Sequence, residues 1–174
     1  MSEILYLWED DYLMIELLPF ENLEFIKAET KRIANFGETH FDGGGFTDIT
    51  PIGEKPVETI DKLIDISAIE KIIIDAGLLK VEKIHPQVFW KSEQLNFTLA
   101  YGNSKFAIIL ERKNKSLEHI WFSGHVHEEA VKQKLIEILL TIGRLYKFTG
   151  VNWYKCKYYH LTERESVEDF INGI

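Results

Sequence analysis

The chain has 174 residues and 20.3 kDa, 45% hydrophobic and 28% charged, a length at which one domain buries a sizeable core unaided. Its 13% aromatic content excludes a disordered chain, which lacks the apolar surface to offset its ordering entropy. Twenty Lys and Arg against 28 Asp and Glu leave a formal charge of -8, which argues against bulk electrostatic binding of nucleic acid or an anionic membrane.

Two apolar runs, Ile4 to Trp8 and Tyr12 to Leu18, flank Glu9-Asp10-Asp11 and predict an N-terminal hairpin with an acidic tip. From Asn22 a helix fits, with Leu23, Ile26, Thr30 and Ile33 on one face and Gly37 as its stop. The stretch from His40 through Gly43-Gly44-Gly45 to Pro56 reads as a long loop, interrupted by a short strand near Phe46–Ile49. Ser67-Ala68-Ile69-Glu70 has capping-box spacing and opens a second helix, closed by Gly77.

Leu95, Phe97, Leu99 and Tyr101 alternate with polar or small residues as far as Gly102-Asn103, and Phe106, Ile108 and Leu110 repeat the pattern. With Leu117 to Ser123 they predict a three-stranded meander. The longest helix runs from about Glu128 to Phe148, where Val131, Leu135, Ile138, Leu139, Ile142, Leu145 and Tyr146 form a wide apolar stripe. A late strand, Val151–Leu161, leads into a second capping box, Thr162-Glu163-Arg164-Glu165, and a closing helix. The expectation is a single α+β domain over residues 1–174. Its antiparallel sheet combines the N-terminal hairpin, the meander and the late strand, with helices packed mainly on one face.

Cys156 is the lone cysteine, so no internal disulfide forms and a reducing compartment fits. The start, MSEILYLWEDD, lacks the basic region and apolar run of a signal peptide, and no stretch approaches the roughly 20 apolar residues that span a bilayer. A cytoplasmic protein without membrane contact is expected.

Several constellations could carry chemistry. Extended chain at His119–His127 would align His119, Trp121, Ser123, His125 and His127, making His119, His125 and His127 a candidate metal arm with Glu128 or Glu129 as base. No further cluster supplies a matching ligand and Gly124 can break the register, so a strand end with solvated rings is the stronger expectation, and no cofactor is expected. The Gly43–Gly45 run lacks the Lys-Ser/Thr of a phosphate loop. Cys156 lies between Lys155 and Lys157, but His160 stands four residues along one strand, beyond hydrogen-bond reach. Trp153, Tyr154, Tyr158 and Tyr159 interleave with lysines, yet the acidic balance disfavours nucleic-acid binding.

The strongest signal is acidic. Residues 1–30 hold eight acids against one base, Lys27. Trp8-Glu9-Asp10-Asp11-Tyr12 sets three carboxylates between aromatic residues of the kind that anchor interfaces.

Val151-Asn152-Trp153-Tyr154, Tyr159-His160-Leu161 and Val167-Glu168-Asp169-Phe170-Ile171 resemble the hydrophobic-Asp-Trp strand and short closing helix of some bacterial immunity proteins, with Asn152 where the Asp would stand. Those are small acidic cytosolic α+β proteins encoded beside polymorphic or contact-dependent toxins, and the resemblance is confined to the C-terminal segment. It implies a non-enzymatic inhibitor that blocks a toxin's active site. For a basic nuclease domain, Glu9, Asp10 and Asp11 would stand in for phosphates, Trp8 and Tyr12 would be anchors, and Asp42, Phe46 and Asp48 would lie at the rim. The alternatives are a metal-dependent hydrolase built on the histidines, or a general protein-interaction adaptor.

Overall fold

Alternation in the meander explains the architecture. In β5 (Phe106–Lys113), Phe106, Ile108 and Leu110 face one way and Ala107 and Ile109 the other, and all five are buried. A strand buried on both sides must be central, with a layer on each face. In the computed structural model, which describes residues 4–45, 47–86 and 97–174, that strand belongs to a six-stranded antiparallel sheet. Its spatial order is β4 (Thr98–Gly102), β5, β6 (Ser116–Gly124), β2 (Ile15–Pro19), β7 (Phe148–Asn152), β8 (Lys157–His160). The predicted meander is therefore present as β4–β5–β6, although Leu95 and Asn96 lie outside the described residues.

Three helices cover the inner face. They are α2 (Ile66–Asp75), α3 (Glu129–Tyr146) and α4 (Arg164–Gly173), and they bury Ile69, Ile73, Leu135, Ile138, Leu139, Val167 and Phe170 against Tyr101, Phe106, Ile108, Ile120 and Phe122. The predicted apolar stripe of the longest helix is thus the main contact surface of α3. Gly143 lets α3 come close to the chain end of β8: a Cβ there would stand 2.5 Å from both the Cβ and the carbonyl oxygen of Leu161. The α+β class, the antiparallel sheet and the placement of helices mainly on one face agree with the expectation.

The N-terminal hairpin does not. β1 (Ile4–Leu7) leaves the main sheet and pairs in parallel with β3 (Lys83–Pro86), from Ile4 opposite Lys83 to Leu7 opposite Pro86. β2 instead lies between β6 and β7, with Glu16 opposite Trp121 and Leu17 opposite Gly150. All five residues of β2 are buried, which suits an interior strand, whereas β1 alternates exposed and buried as a one-faced layer does. Leu13, at φ +57°, helps the chain cross between the layers.

Smaller differences have local causes. Helix α1 (Leu23–Thr39) starts after Asn22 as expected but runs through Gly37. Helix α2 is capped by Asp65, whose carboxylate accepts from the Ser67 amide at 2.9 Å, so the helix begins two residues before the expected start. The Glu70 carboxylate accepts from the Tyr101 hydroxyl rather than closing a capping box. Helix α4 begins after Glu163 without a side-chain cap, and Ser166 Oγ accepts from the His160 amide instead. The late strand is two strands, β7 and β8, joined by a turn over Trp153–Cys156. Thr47–Ile49 form no strand, and Phe46 lies outside the described residues.

Candidate functional site

Two different covers protect the outer face. Helix α1 places Ile26 over Leu18, Val151 and Trp153, while the β1–β3 pair places Leu5 and Leu7 over Ala100, Ala107, Ile109 and Trp121. Polar side chains from β2, β5 and β6 occupy the same face.

Glu16 is 1% exposed on β2, where its carboxylate accepts from Trp153 Nε1 at 2.9 Å and from Lys55 Nζ at 2.8 Å. Burial holds this carboxyl above the usual range despite the ammonium and the indole. Lys55 reaches it from a loop fixed by Asn22. The buried Asn22 amide donates to the Val57 carbonyl at 2.8 Å and accepts from the Val57 amide at 2.9 Å.

Glu111, half-buried on β5, is the second carboxyl of this face. It accepts from Trp121 Nε1 at 3.2 Å and from the Tyr12 hydroxyl at 3.1 Å, while the Tyr12 ring stands edge-on to Trp121 at 5.5 Å. Burial, and then the charge of Glu118, push the Glu111 carboxyl up. Burial and the same carboxylates hold the Tyr12 phenol protonated. Directly across from Glu111 is His119, whose imidazole burial and the charge of Lys55 pull down to about 4, so it is neutral at physiological pH.

The register of β5 on β6 slips here. Glu111 faces His119 while Arg112 faces Leu117, leaving Glu118 as the extra residue of a β-bulge. Adjacent residues Glu118 and His119 consequently line one cleft of about 630 Å³, together with Glu9, Tyr12, Phe97, Thr98, Glu111, Arg112, Lys113 and Asn114. Bulges are enriched beside functional sites because they re-aim side chains in this way.

The acidic segment forms a single 3-10 turn, Glu9–Asp11, between the layers rather than a hairpin tip. Asp11 is committed to the fold: its carboxylate accepts from Ser123 Oγ at 3.2 Å and from the Tyr154 hydroxyl at 3.3 Å. That hydroxyl also donates to the Asp10 carbonyl. Glu9 and Asp10 are exposed, Trp8 is 52% exposed and Tyr12 36%. Asp42 and Asp48 are used within their own loop, accepting from the amides of Gly44, Gly45 and Ile49. The structure therefore brings Trp8, Glu9, Asp10, Asp11 and Tyr12 into one turn, whereas Asp42 and Asp48 make no bond to it.

The histidine segment is divided by Gly124. At φ +81°, a Cβ there would meet the Lys105 carbonyl oxygen at 1.9 Å, so the close turn requires glycine. His119 stays in the cleft, while His125 Nδ1 bonds the Ile174 carbonyl oxygen and His127 stacks obliquely with its ring centroid 6.2 Å from that of His125. The proposed arm of His119, His125 and His127 does not assemble. Among the described residues, no group of three or more His, Cys, Asp or Glu side chains is arranged to hold a metal ion. Cys156 packs in the β7–β8 turn, where burial pushes its thiol up rather than activating it.

Sequence reasoning missed Glu16, Lys55, Glu111 and Glu118. The available signal was an acid inside a continuous apolar run, as at Glu16, or closing one, as at Glu111.

Fold and site together define an α+β protein with a polar cleft and an acidic, aromatic turn on one side of a six-stranded antiparallel sheet. No protein-family model, characterised protein or solved structure matches the chain. Among the described residues no helix is long and apolar enough to cross a membrane.

Proposed function

We propose that this chain is a non-enzymatic binding protein of the bacterial cytoplasm, an immunity protein that neutralises a cognate toxin by covering its active site. The supporting observation is the preorganised turn: Glu9 and Asp10 stand exposed beside Trp8, on backbone and side chains fixed by Tyr154 and Ser123. A recognition turn already held in shape gives up little conformational entropy on binding, and exposed aromatics beside like charges suit a desolvated anchor inside a steering field. The partner this favours is a basic protein domain, such as a nuclease whose groove normally holds phosphates.

The test is capture of the partner by the tagged full chain from its native host at low salt. A near-stoichiometric basic protein released by rising salt is expected. Glu9→Lys with Asp10→Lys should weaken that complex by about two orders of magnitude while leaving the circular dichroism spectrum unchanged. Asp11 is spared because it anchors the turn. Undiminished affinity in the double variant would refute this face.

A further inference from the structure

The cleft beside the β6 bulge contains more free polar groups than a structural surface requires. Glu9, Arg112, Lys113, Glu118 and His119 line it, and none forms a side-chain hydrogen bond or ion pair with a described residue. Some carboxylates elsewhere do find cations: Glu29 binds Arg32 at 2.7 Å, Glu16 binds Lys55 at 2.8 Å, and Glu21 pairs with Lys62. Most telling is Arg112, whose Nε is buried and has no acceptor among the described residues. A buried donor left unpaired is costly, and in native structures such a group usually has an acceptor supplied by water or a ligand.

The chemistry of the lining defines the occupant. Glu9 and Glu118 offer negative charge, Arg112 offers N–H donors that no described side chain takes up, and neutral His119 offers one donor and one acceptor. Tyr12 and Phe97 supply aromatic wall. A volume of about 630 Å³ lies within the usual range for a bound ligand. A simple anion would meet the carboxylates and a simple cation would meet Arg112 and Lys113. A peptide, carrying both a basic side chain and carbonyl oxygens, satisfies both sets.

We infer that this cleft receives an extended peptide segment of the protein partner, with an arginine or lysine side chain between Glu9 and Glu118 and a carbonyl oxygen on Arg112. The inference rests on the binding-protein reading, because Glu9 is shared between the exposed turn and the cleft.

Two probes test it: acetyl-Gly-Arg-Gly-amide, and its counterpart with citrulline, which keeps the shape but removes the charge. Each is titrated into the full ¹⁵N-labelled chain while the Trp121 indole and Glu118–His119 amide signals are followed. Saturable shifts with a millimolar-range constant are expected for the arginine peptide, with binding of the citrulline peptide about fivefold or more weaker. Glu118→Gln should abolish that discrimination, whereas Arg112→Gln should weaken both peptides by a similar factor. Equal binding of the two peptides, no saturable shift with either, or discrimination surviving Glu118→Gln would overturn the inference. The wild-type comparison decides the matter even if a variant misfolds. If the peptides fail while partner capture still depends on Glu9 and Asp10, the cleft assignment falls and the binding-protein reading stands.

Discussion

Glu111 and His119 face each other across β5 and β6, yet neither is driven toward its charged form. Burial raises the carboxyl and lowers the imidazole, so ionising the pair gains less here than it would in an exposed cross-strand pair. The imidazole has a stability consequence of definite sign. Its folded-state value, about 4, lies below the ordinary 6.5, so between these values the unfolded chain binds a proton that the native chain refuses. Its contribution is fully present above about pH 6.5 and is lost as the pH falls toward 4. An NMR titration should place the His119 midpoint near 4 in the native chain, and His119→Gln should lose less stability than wild type on acidification across this window. A midpoint near 6.5 would mean that the ring is solvated.

Elements with strong local patterns were legible. Helix α3 and the β4–β5–β6 meander follow directly from periodicity, because one apolar stripe or one alternating set determines which side is buried. Caps were less legible: Asp65 and Ser67 are both good N-cap residues two positions apart, and only the surrounding contacts select Asp65. The N-terminal hairpin was misread because two apolar runs across a short polar turn satisfy the hairpin pattern while leaving pairing partners undetermined. Helix α3 packs closely at Gly143, where a Cβ would stand 2.5 Å from Leu161. Gly143→Ala would drive a methyl into the Leu161 backbone, forcing α3 away from the sheet. We expect a loss of about 1–3 kcal/mol or more in chemical denaturation, despite the better helix propensity of alanine. A neutral or stabilising effect would show that this approach relaxes freely.

At the scale of the molecule, the sheet has a helical layer on one face and a divided cover on the other. The six-stranded sheet and its three helices share one large apolar cluster, whereas the β1–β3 pair rests on a small cluster around Leu5, Leu7 and Trp121. A two-stranded unit has little stability of its own. Native-state hydrogen exchange should therefore show the amides of β1 and β3 opening at lower free energy than those of β5, β6 and β7. Equal protection in both sheets would indicate a single cooperative unit. Such an arrangement places the acidic turn and the cleft next to the less protected layer, since Glu9–Asp11 directly follows β1.

Residue types, their spacing and their charge determined the α+β class, the main helices and the acidity of the first thirty residues, because these depend on short-range pattern. The acidic turn was also visible as a string of neighbours, Trp8 through Tyr12. Tertiary structure alone decided that Tyr12 meets Glu111, that Lys55 meets Glu16, and that Tyr154 fixes Asp11, contacts separated by 99, 39 and 143 positions. It also separated His119 from His125 and His127, through the one turn that Gly124 permits. Periodicity tells which residues are buried, but strand order tells which buried residues meet, and no local pattern encodes that order.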